Sequence, residues 1–240
     1  MRKLVLYLVL CVCVMLSAGA QLPHHDSFRL LNNKYYDIIY SDCLRIPCCS
    51  KYYFPEPKQK KKLKRQAFSF IQDKRVPKPR PCTSDYTNSG YVRGHMVPSA
   101  DMAFTKDAMK ATFLMSNVAP MRQGFNNGVW KQIENQVRLA AESYSGIVIL
   151  SGVTFGKCAR NLRISGVKLD GITRISGDIA IPDGFWKVIY QPEQKKVIRA
   201  WYVIQERSTS LESSVRCPLD TIIKYAYLWP YQEELETTTH

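Results

Sequence analysis

Histidine is scarce in this chain: four residues in 240, at His24, His25, His95 and His240. Three lie near the ends, and only His95 is embedded in patterned sequence. The scarcity argues against a multi-histidine metal centre. It also leaves His95 as the imidazole to consider as a base near neutral pH. A structural histidine bonded inside a core is the bland reading of the same residue. The cysteines lack paired C-x-x-C spacing and have no histidine beside them, which speaks against a zinc site. There is no internal repeat and no clear interdomain linker. Beyond the first twenty residues, no apolar run is long enough to cross a bilayer. Acidic residues are outnumbered, 20 against 34 Lys and Arg, for a formal charge of +14.

The N-terminus is patterned for targeting. Arg2 and Lys3 precede an apolar run from Leu4 to about Leu16, and Ser17-Ala18-Gly19-Ala20 follows. A positive start, an apolar core and small residues at the end predict a signal peptide cut after Ala20. An uncleaved anchor is the alternative. On this reading the protein is secreted or periplasmic, and residues 21–240 form a single domain with its core over about 35–227. In an exported chain Cys43, Cys48, Cys49, Cys82, Cys158 and Cys217 are expected to form disulfides, with the pairing left open.

The positive charge is local. Lys58, Lys60, Lys61, Lys62, Lys64 and Arg65 crowd one stretch, and Lys74, Arg75, Lys78 and Arg80 follow. Such a run fits the phosphates of a nucleic-acid backbone. A solvated loop that serves solubility fits the same residues.

Strands are predicted at Tyr35–Tyr40, Lys51–Phe54, Ile147–Leu150, Phe185–Tyr190 and Val197–Ile204, with a short one near Phe68–Ile71. Phe113–Met115 reads as extended. Trp130, Ile133, Val137 and Ala141 recur at helical spacing and predict a helix over 126–143. Asn126 or Asn127 is a fair cap for it. Shorter helices are expected at 105–111 and 218–227. Strands and helices mix without strict alternation, so the fold class is α+β.

The stretch Gly90–Met102, "GYVRGHMVPSADM", begins like a strand. Arg93 and His95 are two residues apart, so a regular strand turns both to one face. There a guanidinium can hold a phosphate oxygen while an imidazole activates water. Gly94 between them lets backbone or ligand come close. Later come Ser116-Asn117-Val118-Ala119-Pro120, then Asn126, Gly128, Trp130 and Glu134.

Taken together, these motifs resemble the DNA/RNA non-specific endonuclease family, within the ββα-metal nucleases. The hallmark of that family is D-R-G-H, then S-N-x-x-P, then N-x-G-x-W-x-x-x-E on a helix. Val92 stands where the family has Asp. "YSGIVILSGVTF" and "IPDGFWKVIY" also resemble the family's later strands. The resemblance implies an α+β fold, with a central antiparallel sheet flanked by helices and a ββα-metal motif. It further implies sugar-non-specific hydrolysis of DNA and RNA that leaves 5′-phosphate ends. His95 resembles the general base, Arg93 a phosphate ligand, and Asn126 a direct ligand of Mg²⁺, for which Mn²⁺ can substitute. Glu134 and Asn117 resemble supporting groups, and Arg138 an arginine near the scissile phosphate. Arg65 aligns loosely with an upstream phosphate-binding arginine, with Lys62 and Lys64 beside it. Mg²⁺ keeps most of its waters, so one amide oxygen is an acceptable anchor. Glu134 and Arg138, four residues apart, can pair on one helix face. Two other readings stay open: a catalytically impaired nucleic-acid binder, given Val92, and a cationic protein for an anionic surface or polysaccharide.

Overall fold

Runs of β-branched and aromatic residues build a six-stranded sheet at the centre of the molecule. The computed structural model describes residues 28–55, 63, 68–155 and 172–205. The sheet's strands are β1 (Phe28–Asn32), β2 (Asp37–Ser41), β3 (Ile46–Tyr53), β6 (Val148–Thr154), β9 (Gly184–Gln191) and β10 (Lys196–Ile204). Their order is β1-β2-β3-β6-β9-β10, every pair antiparallel. Each residue of β6 and β9 is buried, so both faces of the sheet are covered there.

The two faces pack differently. One carries Tyr40, Tyr52, Ile149, Val153, Phe185 and Ile189, against the helix residues Trp130, Ile133, Val137 and Ala141. The other carries Ile39, Cys49, Val148, Leu150, Trp186, Val188 and Tyr190. Burying a large apolar side chain contributes about 1.5–3 kcal/mol, so these two layers dominate the stability of the sheet. Gly152 lies opposite Trp186 in the β6–β9 register, and a Cβ there would run into the indole.

β3 and β6 are neighbours, yet the whole of residues 54–147 lies between them in sequence. That excursion holds the α1 helix (Lys106–Ala111) and a separate antiparallel pair, β4 (Val92–His95) and β5 (Val118–Met121). It ends in a helical run made of α2 (Gln123–Phe125), a π turn (Asn126–Trp130) and α3 (Lys131–Ser143). A last small pair, β7 (Arg174–Ile175) and β8 (Ile179–Ala180), follows β6.

Several sequence expectations shift. The α+β class holds, and the central sheet is antiparallel. Phe68–Ile71 is no strand: it makes one isolated parallel bridge, Ile71 to Leu114. Phe113–Met115 gives way to a 3-10 turn at Met115–Asn117. Thr105 caps α1, its hydroxyl accepting from the Ala108 N–H at 3.1 Å. Asn126 is not an N-cap. It lies inside the helical run with helical dihedrals, and its N–H donates to the Arg122 carbonyl at 2.9 Å. The expected helix at 218–227 lies outside the described residues.

Candidate active site

β4 and β5 pair in the register Val92–Met121, Arg93–Pro120, Gly94–Ala119 and His95–Val118. Alternation along β4 puts Arg93 and His95 on one face and Val92 and Gly94 on the other. Gly94 is buried, and a Cβ there would meet the Met121 side chain. Val92 packs against the main core. Glycine and valine therefore suit the side of the strand that faces protein.

The opposite face is walled by aromatics. The His95 ring lies 5.2 Å from Phe70 and 5.2 Å, edge-on, from Phe113. The Arg93 guanidinium stands 5.0 Å from the Phe70 ring. Phe70 thus touches both polar residues. It is held in place because Ile71 N–H donates to the Phe113 carbonyl and Met115 N–H to the Ile71 carbonyl. Asp73 anchors the same segment, accepting from Ser116 Oγ at 2.6 Å and pairing with Arg75. Burial pushes the Asp73 carboxyl up, but the hydrogen bonds from Arg75 and Ser116 outweigh it and hold it below the usual range.

Asn117 ties the chain leaving β4 to the chain entering β5. Its Oδ1 accepts from Val97 N–H, and its Nδ2 donates to the carbonyls of Val97 and Thr112, all at 3.0 Å. Met96 N–H donates to its backbone carbonyl. The side chain is fully buried. Its geometry is that of a pin beneath His95.

The helical run brings the amide. Asn126 opens the π turn, half-buried, and its Nδ2 donates to Asn127 at 3.3 Å. Helical geometry breaks at Gly128. The kink there separates the short turn that carries Asn126 from the regular helix α3 that carries Glu134. Trp130 locks this helix to the strand: its Nε1–H donates to the His95 carbonyl at 3.4 Å.

Behind Trp130 lies a group with no obvious signature in the sequence. Lys187, on β9, is fully buried. Its ammonium donates to Ser151 Oγ at 2.5 Å and sits 4.6 Å from the Trp130 ring. Burial pushes its pKa down to about 8, while the carboxylates of Glu134 and Asp101 pull it up. Asp101 accepts from Tyr52 OH at 2.6 Å and from Arg138 Nη1 at 2.7 Å, and Arg138 Nη2 donates to Asn135. Arg138 is thus engaged with Asp101, a partner that sequence spacing does not reveal. A lysine in the fully buried run Gly184–Gln191 was the one available signal for Lys187, since a strand covered on both faces leaves a lysine no water.

Of the expected site residues, Arg93, His95, Asn117, Asn126, Glu134 and Arg138 fall within residues 92–143. Lys62, Lys64 and Arg65 lie outside the described residues. Between them Leu63 is placed: its N–H donates to the Ala103 carbonyl at 2.8 Å, and it packs near Phe68, Phe70 and Phe113. Among the described residues no cluster of three or more His, Cys, Asp or Glu could hold a metal. The Asn126 amide fits a hard, water-rich cation such as Mg²⁺, which needs few protein ligands.

A family model described as DNA/RNA non-specific endonuclease matches residues 19–231. The chain is 31% identical over 143 residues to "Nuclease 1, mitochondrial" of Schizosaccharomyces pombe, covering 56% of this chain and 42% of that protein. It is 32% identical to "Nuclease C1" of Cunninghamella echinulata, over 52% of this chain and 49% of the relative. It is 36% identical to "Nuclease EXOG, mitochondrial" of Mus musculus, over 44% of this chain and 28% of the relative. The chain thus spans less than half the length of each. A chain of the crystal structure of the EndoG/EndoGI complex shares the fold, with a TM-score of 0.69 over 82% of both chains at 22% identity.

The expectation of a secreted or periplasmic protein is corrected by these relatives. Those with a compartment in their names are mitochondrial nucleases, from fission yeast, budding yeast, mouse and human. The disulfide expectation rested on export and loses that support. Cys49 and Cys82 are free thiols, the first fully buried with its pKa pushed up by desolvation.

Proposed function

The chain belongs to the DNA/RNA non-specific endonuclease family, and from that premise we propose that it hydrolyses phosphodiester bonds of DNA and RNA with little sequence preference. The observation that carries this is the union of Arg93 and His95 on one face of β4, joined through Trp130 to the helix of Asn126. His95 takes a proton from the attacking water, and the resulting hydroxide displaces the 3′ oxygen in line at phosphorus; that oxygen takes a proton from solvent water to leave as the 3′-hydroxyl. Arg93 holds a non-bridging phosphate oxygen and offsets the charge that develops there. A Mg²⁺ or Mn²⁺ ion on Asn126 would supply further charge neutralisation at the phosphate and leaving oxygen. Glu134 would hold water in place at that site. Asn117 keeps β4 and β5 in register beneath the base. Arg138 acts at one remove, fixing Asp101. The products carry 5′-phosphate and 3′-hydroxyl ends. The basic stretch including Lys62, Lys64 and Arg65 holds flanking backbone phosphates, which position without reading sequence. The compartment in the names of the relatives supports a mitochondrial place of action.

The test is cleavage of plasmid, single-stranded DNA and RNA by purified protein with Mg²⁺, with Mn²⁺ and with EDTA. All three polymers should be cut with either ion and spared in EDTA. Full activity in EDTA would remove the metal from the reading. Binding without any cleavage would establish an impaired nucleic-acid binder, and neither binding nor cleavage would favour another anionic partner.

A further inference from the structure

The paired strands carry a second arginine–aromatic couple that the proposed chemistry does not use. Tyr91 directly precedes β4 and Arg122 directly follows β5. Since Val92 faces Met121 in the register, Tyr91 and Arg122 come next to each other across the pair. The Arg122 guanidinium stands 5.3 Å from the Tyr91 ring. By alternation Tyr91 lies on the same face as Arg93 and His95. That face therefore presents two arginines, each beside an aromatic ring: Arg93 on Phe70 and Arg122 on Tyr91.

The spacing has a chemical meaning. Arg93 and Arg122 are diagonal neighbours across the β4–β5 pair, about 7–8 Å apart, comparable to the separation of successive phosphates along one nucleic-acid strand. A guanidinium beside a ring can grip a phosphate through its planar fork with two parallel hydrogen bonds. Arg122 is exposed and Tyr91 half-exposed, so both meet solvent. Their backbones are held on either side. Arg122 N–H donates to Gln205 Oε1 at 3.0 Å, and Gln205 is itself buried and bonded to the Pro182 carbonyl. Tyr91 N–H donates to Ser89 Oγ at 3.2 Å. Arg122 also accepts the Asn126 N–H on its carbonyl, so it sits one helical turn before the residue placed at the cation.

We propose that Tyr91 and Arg122 form a subsite for the nucleotide next to the cleaved bond, with Arg122 gripping the flanking phosphate and Tyr91 stacking on its sugar or base. This rests on the hydrolase reading. The subsite favours polymers over small diesters, because a substrate without a neighbouring phosphate cannot reach it. It is indifferent to sequence, because every base has a face to stack and every nucleotide a phosphate.

The experiment compares two substrates in Mg²⁺: a hexanucleotide and bis(p-nitrophenyl) phosphate, a diester with no flanking nucleotide. R122Q should raise KM for the hexanucleotide about tenfold with kcat within twofold. Its loss in kcat/KM on the small diester should be at least fivefold smaller. Arg122→Lys, which keeps the charge but not the fork, should fall between. Tyr91→Leu should raise the hexanucleotide KM and Tyr91→Phe should not. Equal losses on both substrates, or no loss on either, would overturn the subsite. Circular dichroism and melting of each variant exclude misfolding. A wild-type protein that cuts neither substrate would defeat the hydrolase reading instead. The subsite is then judged by calorimetric binding of the hexanucleotide to wild type and R122Q, where a change under twofold overturns it.

Discussion

The buried lysine gives the sharpest physical test of the fold around the site. Lys187 carries its charge, or loses it, with no exposed surface. Its pKa in the folded protein is pushed down to about 8 by burial, against the pull of Glu134 and Asp101. In the unfolded chain a lysine titrates near about 10.4. Below pH 8 both states hold the proton, and Lys187 gives stability no slope. Between these values the unfolded chain holds a proton that the folded protein has released, so unfolding becomes harder as pH rises. At 1.36 kcal/mol per unit, the contribution grows by about 2–3 kcal/mol between pH 7 and pH 10. Buried Tyr36, Tyr52 and Tyr86, pushed up by desolvation, act in the opposite sense above pH 10. They are present in a Lys187→Met variant too, so they cancel in a difference. Urea unfolding of both proteins at pH 7, 8, 9 and 10 reads that difference directly. The gap between them should move towards wild type by the stated amount. Parallel stability profiles would refute a lysine held at a depressed pKa.

Other consequences follow from the same geometry. His95→Ala should cut turnover on plasmid roughly 10²–10⁴-fold, the range for a lost acid–base group, while gel-shift affinity for DNA stays near wild type; near-normal turnover would remove His95 as the base. Asn117→Ala leaves the Val97 N–H and the carbonyls of Val97 and Thr112 without their partner. At about 1–3 kcal/mol for each of these three buried groups, it should lose at least roughly 3 kcal/mol in urea unfolding, and a loss under about 1 kcal/mol would refute the pin. Changing Lys60, Lys61, Lys62 and Lys64 to Gln should raise KM for long DNA and lower the log–log salt slope by roughly 0.9 for each phosphate no longer neutralised; an unchanged slope would make the run a solvated loop. Val92 faces the core rather than the base, so Val92→Asp should change the rate less than about 10²-fold, well below the His95 loss, and activity present only in the Asp variant would show that the wild type is impaired.

Much of the core and part of the site could be read from side-chain spacing. Arg93 and His95 two apart predicted a shared face, and β4 is a strand over those residues. Trp130, Ile133, Val137 and Ala141 predicted the buried face of α3 and its approach. The start of that helix could not be read in this way. A π turn breaks the regular period, and Asn126 looked like a cap when it is an interior residue. The strand β1 was missed because Phe28–Asn32 alternates weakly and ends in asparagine. Asp101 and Lys187 were missed for a different reason. Their partners, Tyr52, Arg138 and Ser151, are far away in sequence and adjacent only once the sheet has formed. Phe70 was similarly read as part of a strand, whereas it stands as the wall that Arg93 and His95 share.

The excursion between β3 and β6 bears on the order of assembly. β4, β5 and α3 are close in sequence and joined by the Trp130–His95 bond, although α3 lays its apolar face on the central sheet, while the β3–β6 ladder joins chain ends that enclose all of them. Short-range pieces form quickly, and pairings across long separations form late. Nascent protein would then hold a formed base-and-helix unit before its central sheet has closed. The entropy of closing the ladder grows only with the logarithm of the intervening length, about 0.6 kcal/mol for each doubling. Residues can therefore be added to the outer turns of this excursion at little thermodynamic cost, and the penalty is a slower closing of the sheet. Pulse-labelled hydrogen exchange during refolding would see this as protection of the β4, β5 and α3 amides ahead of those of β3 and β6.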